Sequence, residues 1–99
     1  MDAVKLDLNE KGHGGFYIME ETEQMGEMTV SISGNNLTVY HTEVSAKAEG
    51  KGFARKLLIA MVEYARGKGL KVIPLCPYVH AQFKRHPKDY IDIWNKEQK

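Results

Sequence analysis

The sequence predicts a single α/β domain of the α+β type, with a mixed, mostly antiparallel sheet closed by one parallel β-α-β crossover. Three observations carry that prediction. Four β-type runs follow one another between residues 4 and 44, a long amphipathic helix follows, and a fifth β-type run comes directly after it. Neighbouring runs joined by short turns pair antiparallel. A strand-helix-strand connection makes a right-handed parallel crossover.

Each element has its own signature. Val4, Leu6 and Leu8 alternate with polar residues, as in an edge strand. Asn9 to Gly15 is turn-rich, and Phe16 to Glu20 reads as a second strand. A third runs from Gln24 or Met25 to Ser33, with Met28, Val30 and Ile32 on one face. Gly34-Asn35-Asn36 is a tight turn, so strands three and four form a hairpin, and strand four runs from Leu37 to Thr42 or Val44. From about Gly52 to Arg66, the residues Ala54, Leu57, Leu58, Met61, Val62 and Ala65 make one helical stripe, which Gly67 and Gly69 end. Lys71 to Leu75 is the fifth strand. Pro77 opens a short helix over Val79 to Arg85, and Asp89 to Asn95 reads as a last helical turn or two.

Composition narrows the function classes. The chain has 99 residues, 42% hydrophobic and 27% charged, with a formal net charge of +1. That is one domain with one core, and its charge balance gives no global pull toward nucleic acid or membrane. The basic stretch Ala81 to Lys88 is expected to be a solvated helix face and not an RNA contact. No apolar run approaches the ~20 residues of a membrane span, and residues 1–8 lack an apolar signal core. A lone cysteine excludes an internal disulfide. A monomer in a reducing cytoplasm is the expectation. The histidines lack ligand-like spacing with acids or cysteine, so no metal is expected.

The densest signal lies between strand four and the helix, at Glu49-Gly50-Lys51-Gly52-Phe53-Ala54. Glycines here can take positive φ and leave backbone N–H groups unshielded, beside helix N–H groups that have no intrahelical partner. Such a junction binds anions, phosphate above all. It is not the dinucleotide fingerprint, because Arg55 stands where the third glycine belongs, and the P-loop pattern is absent.

The loop resembles the pyrophosphate loop of the Gcn5-related N-acetyltransferases, [Q/R]-x-x-G-x-[G/A] after a strand ending in valine. Glu49 replaces the usual Gln or Arg, and Val44 stands five residues before it. His41-Thr42-Glu43-Val44 and Cys76-Pro77-Tyr78-Val79 extend the likeness to the small acetyltransferase-like subfamily of about this length. The resemblance implies a minimal Gcn5-related acetyltransferase fold over residues 1–99 and binding of acetyl-CoA. It also implies an acyltransferase activity toward an acceptor left open: an amine, a small molecule or a protein. The coenzyme would be held by Gly50, Lys51, Gly52, Phe53 and Ala54 through backbone donors, with Lys47, Lys51, Arg55 and Lys56 as candidate cations for the 3′-phosphate. Val44 would pair with the pantetheine arm, and Tyr78 would line it.

Two side chains are candidates for chemistry. Cys76 follows strand five at the cofactor end. A thiolate there could take and pass on the acetyl group, if a cation or a helix N-terminus favours ionisation. His41, on the neighbouring strand, is the candidate base or activator of Cys76, with Glu43 on the same face. The alternatives are a small buried residue for Cys76 and an ordinary strand histidine for His41. Two other functions stay open: a non-catalytic CoA-binding or sensing module, and a protein-interaction domain on the same fold.

Overall fold

A computed structural model of the chain describes residues 3–97. Five strands form one sheet in sequence order: β1 (Ala3–Leu8), β2 (His13–Glu20), β3 (Glu23–Ser33), β4 (Asn36–Val44) and β5 (Lys71–Pro74). The first four pair antiparallel, and β5 lies parallel to β4. Helix α1 (Phe53–Lys68) makes the crossover, and α2 (Pro77–Arg85) and α3 (Pro87–Tyr90) follow β5. This is the fold of the acetyltransferase superfamily that the sequence resembles.

The helices share one face of the sheet. Phe53, Leu57, Leu58, Met61, Val62 and Ala65 of α1 are all buried, against Phe16, Ile18, Met28, Val30, Leu37, Val39 and Val72. The α3 segment packs beside α1, where Arg66 clamps Asp92 with bonds of 2.7 and 3.1 Å. The opposite face of the sheet carries Lys5, Tyr17, Thr29, Thr38 and Tyr40, none of them buried. The shortest dimension, 21 Å, is that of one sheet and one helix layer of about 10 Å each.

Four of the element boundaries that differ from expectation do so for an identifiable reason. The turn before β2 ends at Gly12, because Gly14 and Gly15 are already paired between β1 and β3. A Cβ on Gly14 would lie 1.9 Å from Asp7 O, so this glycine serves close strand approach and not a turn. Helix α1 runs through Gly67 to Lys68, and its end is set by Gly69 at φ 69°. There the Leu70 N–H reaches Ala65 O at 2.8 Å, and the buried Leu70 seals the terminus. Strand β5 stops at Pro74, one residue before Leu75. The last expected helix is confined to Pro87–Tyr90, because Ile93 to Asn95 turn out to pair with the free edge of β5. Val72 N–H donates to Ile93 O at 2.6 Å and Asn95 N–H to Val72 O at 2.9 Å. Both backbone groups of Val72 would otherwise be unpaired.

Candidate functional site

The glycine loop is a short relay of turns. Ser45 Oγ accepts from Lys47 N–H at 3.3 Å and starts a 3-10 turn at Ala46–Ala48. Lys51 N–H then donates to Ala48 O at 3.1 Å. Gly50 and Gly52 take φ of 83° and 75°, and a Cβ at either would meet nothing within 4 Å. Backbone conformation therefore demands these glycines, and the space beside them is open. The first helical bond is Lys56 N–H to Gly52 O at 3.1 Å. Among the described residues, the N–H groups of Gly50 and of Gly52 through Arg55 have no hydrogen-bond partner. Lys51 contributes less than the sequence implies, because its own N–H closes the turn. The Phe53 ring is core, only 2% exposed, so that residue offers its backbone alone.

Beside this loop the sheet opens. Strands β4 and β5 pair only over Asn36–Val39 and Lys71–Pro74, and Cys76 N–H to Val39 O at 2.9 Å is the last bond between them. Among the described residues, 40–44 of β4 continue along β3 without a strand neighbour on the other side. Ser45 N–H bonds Met25 O at 2.8 Å. In an antiparallel ladder the bonding direction alternates. Thr42 and Val44 therefore turn their backbone groups away from β3 and into the gap. A small opening of about 340 Å³ lies instead on the β3 side of this end of β4, lined by Met25, Gly26, Glu27, Glu43, Val44 and Ser45.

The expected cations are partly engaged. Lys47 pairs with Glu23 at 3.1 Å and Lys51 with Glu20 at 3.2 Å, both in the acidic turn between β2 and β3. These pairs are exposed, and such pairs hold weakly enough to yield to a phosphate. Lys56 Nζ lies 5.2 Å from the centre of the Phe53 ring. Arg55 is exposed on the first turn of α1. Tyr78 is half-buried on the first turn of α2; burial pushes its phenol up, and the Arg55 charge opposes that.

Cys76 caps α2, is 2% exposed, and directs its Sγ to Thr42 Oγ1 at 3.3 Å. His41 is not its partner. The imidazole is exposed and sits 3.5 Å from Glu43. The cause is a bulge: Thr29 pairs with His41 but Val30 with Val39, leaving Tyr40 as the extra residue. Beyond it the inward positions shift from Leu37 and Val39 to Thr42 and Val44. Thr42 is thus the site residue that sequence reasoning missed. The change from odd to even apolar positions along β4 was the available signal. Among the described residues, no cluster of three or more His, Cys, Asp or Glu could hold a metal. No helix there is long and apolar enough to cross a membrane.

Comparisons with known proteins agree with this geometry. The profile of a family described as GCN5-related N-acetyl-transferase matches residues 15–93. The solution structure of a GCN5-like putative N-acetyltransferase from Staphylococcus aureus superposes with a TM-score of 0.68. It is 30% identical, over 94% of this chain and 87% of that one. The ribosomal-protein-S18-alanine N-acetyltransferase of Escherichia coli shares the fold at a TM-score of 0.62 and 12% identity. That match covers 67% of this chain but only 43% of the Escherichia coli enzyme. The ribosomal-protein-alanine N-acetyltransferase of Brucella melitensis shares it at 0.63 and 15% identity, over 81% of this chain and 62% of that one. No curated protein sequence matches the chain. A glycine-turned helix start beside a splayed β4–β5 pair, with a family match over most of the length, leads to one assignment: the chain belongs to the GCN5-related N-acetyltransferase family.

Proposed function

We propose that the chain binds acetyl-CoA and acts as an acetyltransferase on an amine-bearing acceptor. The observation that carries this reading is the row of unpartnered N–H groups at Gly50 and Gly52 through Arg55, at the positive end of α1 and next to the β4–β5 gap. A pyrophosphate fits that cradle because several donors converge on it and no Cβ intrudes. When bound, the coenzyme supplies an activated acetyl thioester. The remaining work belongs to the chain. Arg55, with Lys47 and Lys51 once released from their glutamates, would balance the phosphate charge. The backbone of Thr42 and Val44 would align the pantetheine arm, and Tyr78 would line it.

Cys76, at the start of α2 and bonded to Thr42, is the thiol that this reading puts at the end of the arm. In this reading the Cys76 thiol takes the acetyl group from the thioester as the CoA thiol leaves, and the acceptor amine then takes it from Cys76, whose thiol is restored. A passive CoA-binding module is the second reading. The near-complete burial of Cys76 and its distance from any histidine contact favour that one.

Titration of the 15N-labelled chain with acetyl-CoA tests the binding site. Amide shifts should concentrate at Gly50, Gly52 to Arg55, Thr42 and Val44, and unmoved signals there would refute the reading. Intact-mass measurement after incubation tests the chemistry. An acetyl adduct lost in Cys76→Ala supports the thiol relay. Binding without an adduct, and without turnover of any amine offered, leaves a module that binds the coenzyme passively.

A further inference from the structure

A second concavity lies at the outer edge of β5, away from the glycine loop. Ile73, Leu75 and Trp94 supply its apolar surface, and His80, Lys84 and Lys96 its polar one. Its volume is about 690 Å³, against about 340 Å³ for the opening beside Val44. Three elements wall it. One is β5. The second is the flank of α2 on which His80 and Lys84 stand one turn apart. The third is the stretch at residues 93–95 paired to Val72. Tyr78 stands near Arg55, on the side of α2 that faces the start of α1, so the two sites use different flanks of the same helix.

We propose that this cavity is a binding site for a small organic carboxylate with an aromatic or branched apolar body. Charge is the first argument. Among the described residues, the ionisable groups lining it are His80, Lys84 and Lys96, all basic, and none is an acid. Lysines 47 and 51 at the glycine loop sit on glutamates, whereas Lys84 and Lys96 have no carboxylate partner among the described residues. Lys96 Nζ is held 4.7 Å over the Trp94 ring, which sets a cation directly against the apolar surface. Apolar exposure is the second argument. Leu75 is 46% exposed, and the half-buried Trp94 is supported edge-on by Phe83 and His80. A ligand covering both would remove them from water.

The edge of β5 also decides what kind of ligand enters. Its outward backbone groups at Val72 are already paired with Ile93 and Asn95. The next outward position is Pro74, which has no N–H to donate. An added peptide strand would find no ladder to extend, so a compact molecule suits the cavity better. Its volume is in the range of ordinary small-ligand sites.

Trp94 is the chain's single tryptophan and reports on the cavity directly. The full chain, free of any coenzyme, is titrated with 4-phenylbutyrate and separately with the neutral 4-phenylbutanol. Trp94 emission and amide shifts are followed. The expected result is a saturable emission change, with shifts at Ile73, Leu75, His80, Lys84 and Lys96. Affinity should fall about tenfold for the alcohol and for Lys84→Met, as loss of one charge-assisted bond predicts. Circular dichroism should confirm that Lys84→Met is folded. Absence of saturation, equal affinity for the alcohol, or shifts confined to Val44 and the glycine loop would overturn the proposal. So would shifts of the same residues on simple dilution of the protein, which would mark this surface as a contact between copies. None of these outcomes depends on acetyl-CoA binding.

Discussion

The two ends of α1 use the same backbone device for opposite purposes. Each is set by a glycine in the left-handed region, Gly52 at φ 75° and Gly69 at φ 69°, and neither would bring a Cβ near another atom. At the C-terminal end the turn folds back on itself. The N–H groups of Gly69 and Leu70 satisfy the last carbonyls, and Leu70 closes the end with apolar contact. At the N-terminal end nothing folds back. No side chain caps the helix, no acid stands in its first turn, and the N–H groups through Arg55 stay open. Left-handed glycine by itself therefore does not mark a binding site. What distinguishes the two ends is whether the groups that the glycine exposes are satisfied by the chain.

The largest expected effect comes from filling the open end. Gly52→Asp should reduce acetyl-CoA affinity by more than about tenfold, through left-handed strain on the order of 1 kcal/mol and carboxylate repulsion at the phosphates. Calorimetric titration measures it, and unchanged affinity would dissolve the contrast between the ends. Gly69→Ala should do the reverse. It should cost about 1 kcal/mol of stability, several degrees of melting temperature for a domain of this size, and leave affinity unchanged. Gly67→Ala sharpens the point. This glycine is inside the helix, exposed, without positive φ and with nothing near a new Cβ. Its replacement should stabilise the chain by up to about 1 kcal/mol.

The smallest effect concerns the ion pair beyond the closed end. The Arg66 guanidinium holds the Asp92 carboxyl below the usual carboxylate range, chiefly through their hydrogen bond. A carboxyl depressed in the folded state stabilises it above the unfolded value and loses that contribution as pH falls through the folded one. Both groups are well exposed, so the contribution should be about 0.2–1 kcal/mol. Denaturant titrations of the native chain and Asp92→Asn should differ at pH 7 and converge as pH falls through the depressed Asp92 value. Persistence of the difference in acid would mean that the asparagine acts by something other than charge.

Local pattern in the sequence determined most of the architecture. The stripe Leu57, Leu58, Met61, Val62 and Ala65 announced α1 because helical periodicity is a property of the chain itself. Asparagine and glycine turns announced the hairpin, and Gly50-Lys51-Gly52 announced the left-handed turn before α1, because positive φ has few residue solutions. Tertiary structure alone decided the rest. The bulge at Tyr40 swapped Thr42 for His41 beside Cys76, since strand register depends on what the partner strand requires. The path of residues 93–95 was decided by the unpaired edge of β5 and not by their own helical pattern. Lys51 N–H was taken by Ala48 O, a bond that depends on the turn preceding it. The cavity under His80, Lys84 and Trp94 is assembled from β5, α2 and residues 94–96, which only the tertiary fold brings together.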